Sequence, residues 1–278
     1  VGSRLPQRVV DNLRIFLNYV NRPLAIRSSS KLEDSYYQPF AGIYSTYMIP
    51  YTANKDQMLR QLGKAIKSVY ASTYYAAARA YINATANVLA EEKMAVVLQE
   101  VCGSEENGIY FPTLSGVARS VNFYPIGDEK ADEGIVNLAF GLGKLVVEGG
   151  QTLRFSPRHP RKVLQLSTPE LALRDTQREF YALDLRPESF RTSTNDAVNL
   201  RKTEINKAAD LKGMKPVLST WDMQNQQISD SSFTKGRKIV TFASILKYDA
   251  FPLAEIINQL LAVGKREMKN EVEIEFAV

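Results

Sequence analysis

The chain has one cysteine, one histidine and one tryptophan in 278 residues. The lone Cys102 excludes an internal disulfide and suits a reducing cytosol. A lone histidine leaves no Ser-His-Asp triad to expect and no His/Cys cluster at zinc spacing. That residue, His159, sits in Pro157-Arg158-His159-Pro160 and reads as a surface loop. No run of about 18 apolar residues occurs, so no membrane span is expected. Val1-Gly2-Ser3-Arg4 has no apolar core behind it and does not read as a signal peptide. The first residue is not Met, so an upstream segment is expected. Internal repeats, low-complexity tracts, recognition-helix patterns and RNA-binding aromatic motifs are all missing.

What is present suits an ordinary soluble protein with a full core, in one large domain or two lobes. Hydrophobic residues make up 45% and charged residues 23%. The net charge of +5 suggests an anionic partner. Nucleic acid is one option, resting on charge alone, and ATP is another. The local basic cluster Arg154, Arg158, Arg161 and Lys162 reads as a solvated surface.

Helices and strands alternate along the chain. Val9, Val10, Leu13, Phe16, Leu17 and Val20 lie on one helical face. Asn54 can cap the next helix, with Gln57 three residues on. That helix carries Met58, Leu59, Leu62, Ile66 and Val69 on its apolar side, and a Tyr- and Ala-rich helix follows over 72–86. Strands are expected at 93–101, 116–124, 134–140, 238–244 and 271–277. The polar stretch 187–236 is a candidate mobile insertion. A helix is expected over 252–263, with Pro252 early and Gly264 just past its end. This order fits α+β or α/β lobes, not a bundle or a sandwich.

One segment carries more chemistry than the rest. In Leu24-Ala25-Ile26-Arg27-Ser28-Ser29-Ser30-Lys31-Leu32-Glu33-Asp34-Ser35 an apolar run stops at an arginine, followed by hydroxyls and two adjacent carboxylates. A guanidinium fork suits phosphate oxygens, and hydroxyls with loop N–H groups complete an anion cradle. A structural ion pair from Arg27 to Glu33 or Asp34 is the plain alternative. Near the far end, Glu273 and Glu275 stand two apart on a strand and share a face. Such a pair repels unless a cation or arginine lies between. A solvated edge strand is the alternative there.

The first segment, with Phe40-Ala41-Gly42 behind it, resembles the nucleotide-binding domain of the phosphoenolpyruvate synthase and pyruvate phosphate dikinase family. Further segments follow in that family's order: Ala65 to Tyr81, Lys93 to Gly103, Leu114 to Gly127, Ala139 to Gly150 and Glu271 to Val278. The resemblance implies an ATP-grasp fold of two α/β lobes with the nucleotide between them. The expected lobes are 1–90 and 91–278. It implies ATP and magnesium as cofactors and phosphoryl transfer as chemistry, in the cytoplasm. By resemblance, Arg27 clamps phosphate with Ser28, Ser29 and Gly42. Gln99, Glu100 and Val101 hold adenine, Gly141 and Gly143 allow close phosphate approach, and Glu273 and Glu275 ligate magnesium.

Departures from the family pattern qualify what is implied. The family passes phosphate from ATP to a histidine in a T-S-H-A motif on a separate swivelling domain; that motif and the pyruvate-binding barrel are missing. The chain therefore reads as a piece of a larger protein, inactive alone. Lys144 replaces a glutamate after Gly-Leu-Gly, Ile43 a glutamine and Arg119 an aromatic. The competing reading is a non-catalytic nucleotide-binding or interaction module on the same fold. Neither membrane nor nucleic acid is an expected partner.

Overall fold

The computed structural model describes residues 2–30, 33, 44–84 and 93–278. Gly42, Asp34, Ile43 and the end of the helix expected over 72–86 lie outside the described residues. By compactness the chain forms two units. The first holds Val1–Val101 with Leu183–Leu200, and the second holds Cys102–Ala182 with Arg201–Val278. The units and the expected lobes differ by the strand before Val101 and by the segment 183–200.

The first unit is built on a three-stranded antiparallel sheet in the order β2-β1-β3, with β1 Leu24–Ser30, β2 Tyr47–Ile49 and β3 Met94–Glu100. Helices α1 (Gln7–Leu17) and α2 (Lys55–Ser72) cover one of its faces. Alternation sends Leu24, Ile26, Tyr47, Ile49, Met94, Val96 and Leu98 to that face. There they meet Leu13 and Leu17 of α1 and Met58, Leu62, Ile66 and Val69 of α2. Burial of each large side chain contributes about 1.5–3 kcal/mol. Asn54 caps α2 as expected, accepting from Gln57 N at 3.0 Å. The next helix, α3 Ala76–Ala84, begins later than expected because α2 itself runs through Ser72. The returning segment 183–200 is stitched to this unit. Phe190 packs edge-on against Tyr47 at 6.4 Å, and Tyr47 Oη donates to Ser193 O at 2.7 Å. Asn199 Nδ2 donates to Met48 O at 2.8 Å.

The second unit carries three sheets. β4 (Ser104–Glu106), β5 (Ile109–Phe111), β9 (Glu179–Asp184) and β10 (Leu200–Glu204) lie in the order β10-β9-β5-β4. β11 (Leu218–Asp222), β12 (Gln227–Ser229) and β13 (Arg237–Val240) lie in the order β12-β11-β13. β6 (Ser115–Arg119), β7 (Ile135–Ala139), β8 (Leu153–Phe155) and β14 (Glu273–Ala277) form an antiparallel sheet in the order β14-β6-β7-β8. Phe111, Phe140 and Phe180 form an aromatic knot, with centroids 4.9–6.1 Å apart. Short helices α4 (Lys144–Val147), α5 (Pro169–Asp175) and α6 (Ala243–Leu246) punctuate the strands.

Three expectations change. The stretch 187–236, expected as a candidate insertion, contains β10, β11 and β12, and Ile205, Leu211, Met214, Val217 and Leu218 enter the core. Its spaced apolar residues escape a reading based on average polarity. The strand expected over 238–244 stops at Val240, and α6 follows. Helix α7 (Leu253–Met268) runs past Gly264, whose Cβ position would meet Val272 at 3.1 Å, so this glycine serves packing. Lys269, with φ of 53°, ends the helix instead.

Candidate functional site

In the first unit the sheet face turned away from α1 and α2 holds the candidate phosphate and base groups. Antiparallel register sets Arg27 opposite Val97, Ser29 opposite Ala95, and Ala25 opposite Gln99. Opposed residues share a face, so Arg27, Ser29 and Gln99 are brought together on one surface. Arg27 and Ser29 are half-buried there, while Val97 and Gln99 are exposed. The strand therefore presents a guanidinium and a hydroxyl beside an apolar strip.

Ser28 and Glu100 alternate to the other face. Ser28 Oγ donates to Glu33 Oε1 at 2.6 Å, and Ser30 N donates to Glu33 Oε2 at 3.1 Å. Glu33 N in turn donates to Ser30 Oγ at 3.3 Å. Glu33 thus ties itself to Ser28 and Ser30 at the end of β1. Glu100 accepts from Asn21 N at 3.2 Å, and Val101 N donates to Pro23 O at 2.8 Å. β3 is the outer strand of its sheet, so alternate backbone groups along it point away from β1.

In the second unit, β14 and β6 form the candidate cation face. Glu273 stands opposite Arg119, Glu275 opposite Val117, and Ala277 opposite Ser115. Ile274 and Phe276 alternate toward the core, so both glutamates share the other face. Arg119 Nε donates to Glu273 Oε2, an ion pair joining the two strands. Ser115 Oγ, on the same face, is buried without a hydrogen-bond partner. The carboxylates of Glu273 and Glu275 and the Ser115 hydroxyl offer oxygen ligands on this face, which suits a hard cation held by one or two carboxylates and phosphate oxygens. Among the described residues no three His, Cys, Asp or Glu gather as a metal cage. Glu273, Glu275 and the orphaned hydroxyl therefore fit magnesium only with phosphates as further ligands. Two and three strands along from Glu275, Asn137 and Arg154 line a cavity of about 380 Å³.

Gly141 and Gly143 part company. Gly141 has φ of 87°, and a Cβ there would lie 2.7 Å from Tyr181 O. Its neighbour Leu142 N donates to that carbonyl at 2.9 Å. The glycine is thus required by the turn itself. Gly143 has ordinary helical dihedrals, and a Cβ would meet only Ser115 Cβ at 3.8 Å. Lys144 pairs with Glu148 at 3.1 Å, and Tyr181 Oη donates to the same carboxylate at 3.0 Å. Burial, then the Glu148 carboxylate, pushes the Tyr181 hydroxyl above its ordinary value.

The remaining candidates are engaged locally. His159 Nε2 lies 3.2 Å from Glu133 Oε2. In the basic cluster, Arg161 pairs with Asp249 at 3.1 Å, Lys162 with Asp128, and Arg154 with Glu129 at 3.7 Å. Those cations have acidic partners, and no open basic face results from them. The Arg119–Glu273 contact is the feature that sequence reading missed. Its partners are 154 residues apart, so only strand register could have revealed it.

Comparison with known proteins adds family evidence. The AMP/ATP-binding domain of pyruvate phosphate dikinase matches across residues 1–278. An "Uncharacterized phosphotransferase YvkC" from Bacillus subtilis (strain 168) is 31% identical over 131 residues, which is 47% of this chain and 14% of that protein.

Proposed function

The chain belongs to the family of pyruvate phosphate dikinase AMP/ATP-binding domains, and from that premise we propose that it binds ATP and magnesium for phosphoryl transfer. Its fold is α+β of the ATP-grasp type. The observation that carries the proposal is the sheet face shared by Arg27, Ser29 and Gln99. Arg27 clamps phosphate oxygens with its guanidinium fork. Ser29 supplies a second donor on the same face. Within Gln99 to Val101, the outward backbone N–H and C=O of Glu100 read the adenine edge, and the apolar strip at Val97 supports the ring. Ser28 acts indirectly, through its hydrogen bond to Glu33.

Glu273 and Glu275 are the carboxylates that hold magnesium, with Ser115 beside them. When bound, magnesium neutralises charge on the transferring phosphate. The acceptor in this reading is a histidine on a separate domain. His159, 3.2 Å from Glu133, has no part in it. The alternative, a nucleotide-binding module without turnover, is favoured by two observations. Lys144 is turned to Glu148, and Glu273 is turned to Arg119.

The test is a titration of ATP with and without magnesium. Replacing Glu273 and Glu275 together by glutamine removes two charges while keeping size. The enhancement of ATP binding by magnesium should then disappear. An enhancement unchanged in the folded double variant would leave β14 as a solvated edge strand.

A further inference from the structure

The geometry points to Arg119 as a positioning residue that competes with a bound cation for Glu273, and so weakens the coupling between magnesium and nucleotide. This rests on the reading of β14 as the cation strand. Three acids occupy alternate positions at the end of the chain. Glu271 is held by Ser120 at 2.6 Å and Lys265 at 2.9 Å. Glu273 is held by Arg119 across the strand pair. Glu275 stands opposite Val117 in the register. The register thus sets Arg119 directly across from Glu273.

The Arg119–Glu273 pair is half exposed, with side-chain exposures of 45% and 47%. Ion pairs this open hold weakly and exchange readily. Glu273 must leave Arg119 before its oxygens can ligate a cation. Once released, the guanidinium stays on the same face as Glu275, where phosphate oxygens would gather. Arg119 then contributes positive charge to the nucleotide with or without a metal. Two consequences follow together: nucleotide binds appreciably without magnesium, and added magnesium improves binding less than a bare carboxylate pair would allow. A purely structural cross-strand pair would produce neither.

The experiment measures Mn²⁺ affinity by electron paramagnetic resonance, and ATP affinity with and without Mg²⁺ by calorimetry, on the whole chain. Arg119→Gln should bind Mn²⁺ roughly two- to fivefold more tightly, the range set by loss of an exposed pair. Its gain in ATP affinity on adding Mg²⁺ should grow by a similar factor, while metal-free ATP binds more weakly. Arg119→Lys keeps the charge and should stay near the parent chain. Unchanged Mn²⁺ affinity in folded Arg119→Gln, or Arg119→Lys behaving like Arg119→Gln, overturns the proposal. If Arg119→Gln fails to fold, Glu273→Gln decides: it frees the guanidinium, so metal-free ATP should bind more tightly than to the parent, and no change overturns the proposal. A parent chain that binds no ATP would sink the nucleotide reading instead, and the Mn²⁺ titration without nucleotide would still report on Arg119.

Discussion

At the scale of single residues, Glu271 shows how local partners set pH behaviour. Its carboxylate accepts from Ser120 Oγ and pairs with Lys265, in that order of influence, and both hold it below the ordinary carboxylate value. A depressed folded value stabilises the protein above the unfolded value of about 4.3 and is lost as pH falls through the folded one. Glu271→Gln should therefore flatten the loss of stability between neutral pH and acid. Urea midpoints recorded down the pH scale check this, and parallel curves for parent and variant would contradict it. Residues of this kind differ in how far sequence exposes them. Arg27, Ser28 and Ser29 were legible together in the sequence, and strand alternation then puts Ser28 on the opposite face from Arg27 and Ser29. The partners of Glu271 and Glu273 were not, because Ser120 and Arg119 lie more than 150 positions away and meet them only through register.

At the scale of elements, the turn between β7 and α4 separates backbone need from ligand need. Gly141 is fixed by its φ of 87° and by the approach of Tyr181 O. Gly141→Ala should cost about 1–3 kcal/mol for the strained backbone, more if the carbonyl cannot move. Gly143→Ala should leave stability level or raise it by about 0.4–1 kcal/mol, since alanine suits its dihedrals. Thermal or urea unfolding checks the pair, and equal costs at both positions would contradict the distinction. Elements with strong periodicity or a cap, such as α2 behind Asn54, were legible in the sequence. The strands between 200 and 229 were not, because they are short and bury few apolar residues each. The extent of α7 was misread for a different reason: Gly264 reads as a stop signal, yet the close passage of Val272 makes it a packing residue.

At the scale of the whole molecule, composition excluded more than it identified, while the ordered family segments pointed to an ATP-binding domain that the match over residues 1–278 supports. Phosphoenolpyruvate formation needs a histidine carrier and a pyruvate site besides the nucleotide groups. The chain alone should give no product from ATP and pyruvate in a coupled assay, and His159→Ala should change nothing; turnover lost in that variant would make His159 the acceptor. The central claim is narrower, that Arg27 holds ATP phosphate from the face of β1 turned away from α1 and α2. Calorimetric titration of ATP in the presence of Mg²⁺ tests it most directly, on the parent chain and on Arg27→Ala. A charge-assisted contact predicts binding by the parent and a loss of about 1.5–3 kcal/mol in the folded variant. Equal affinity in the two proteins would contradict it.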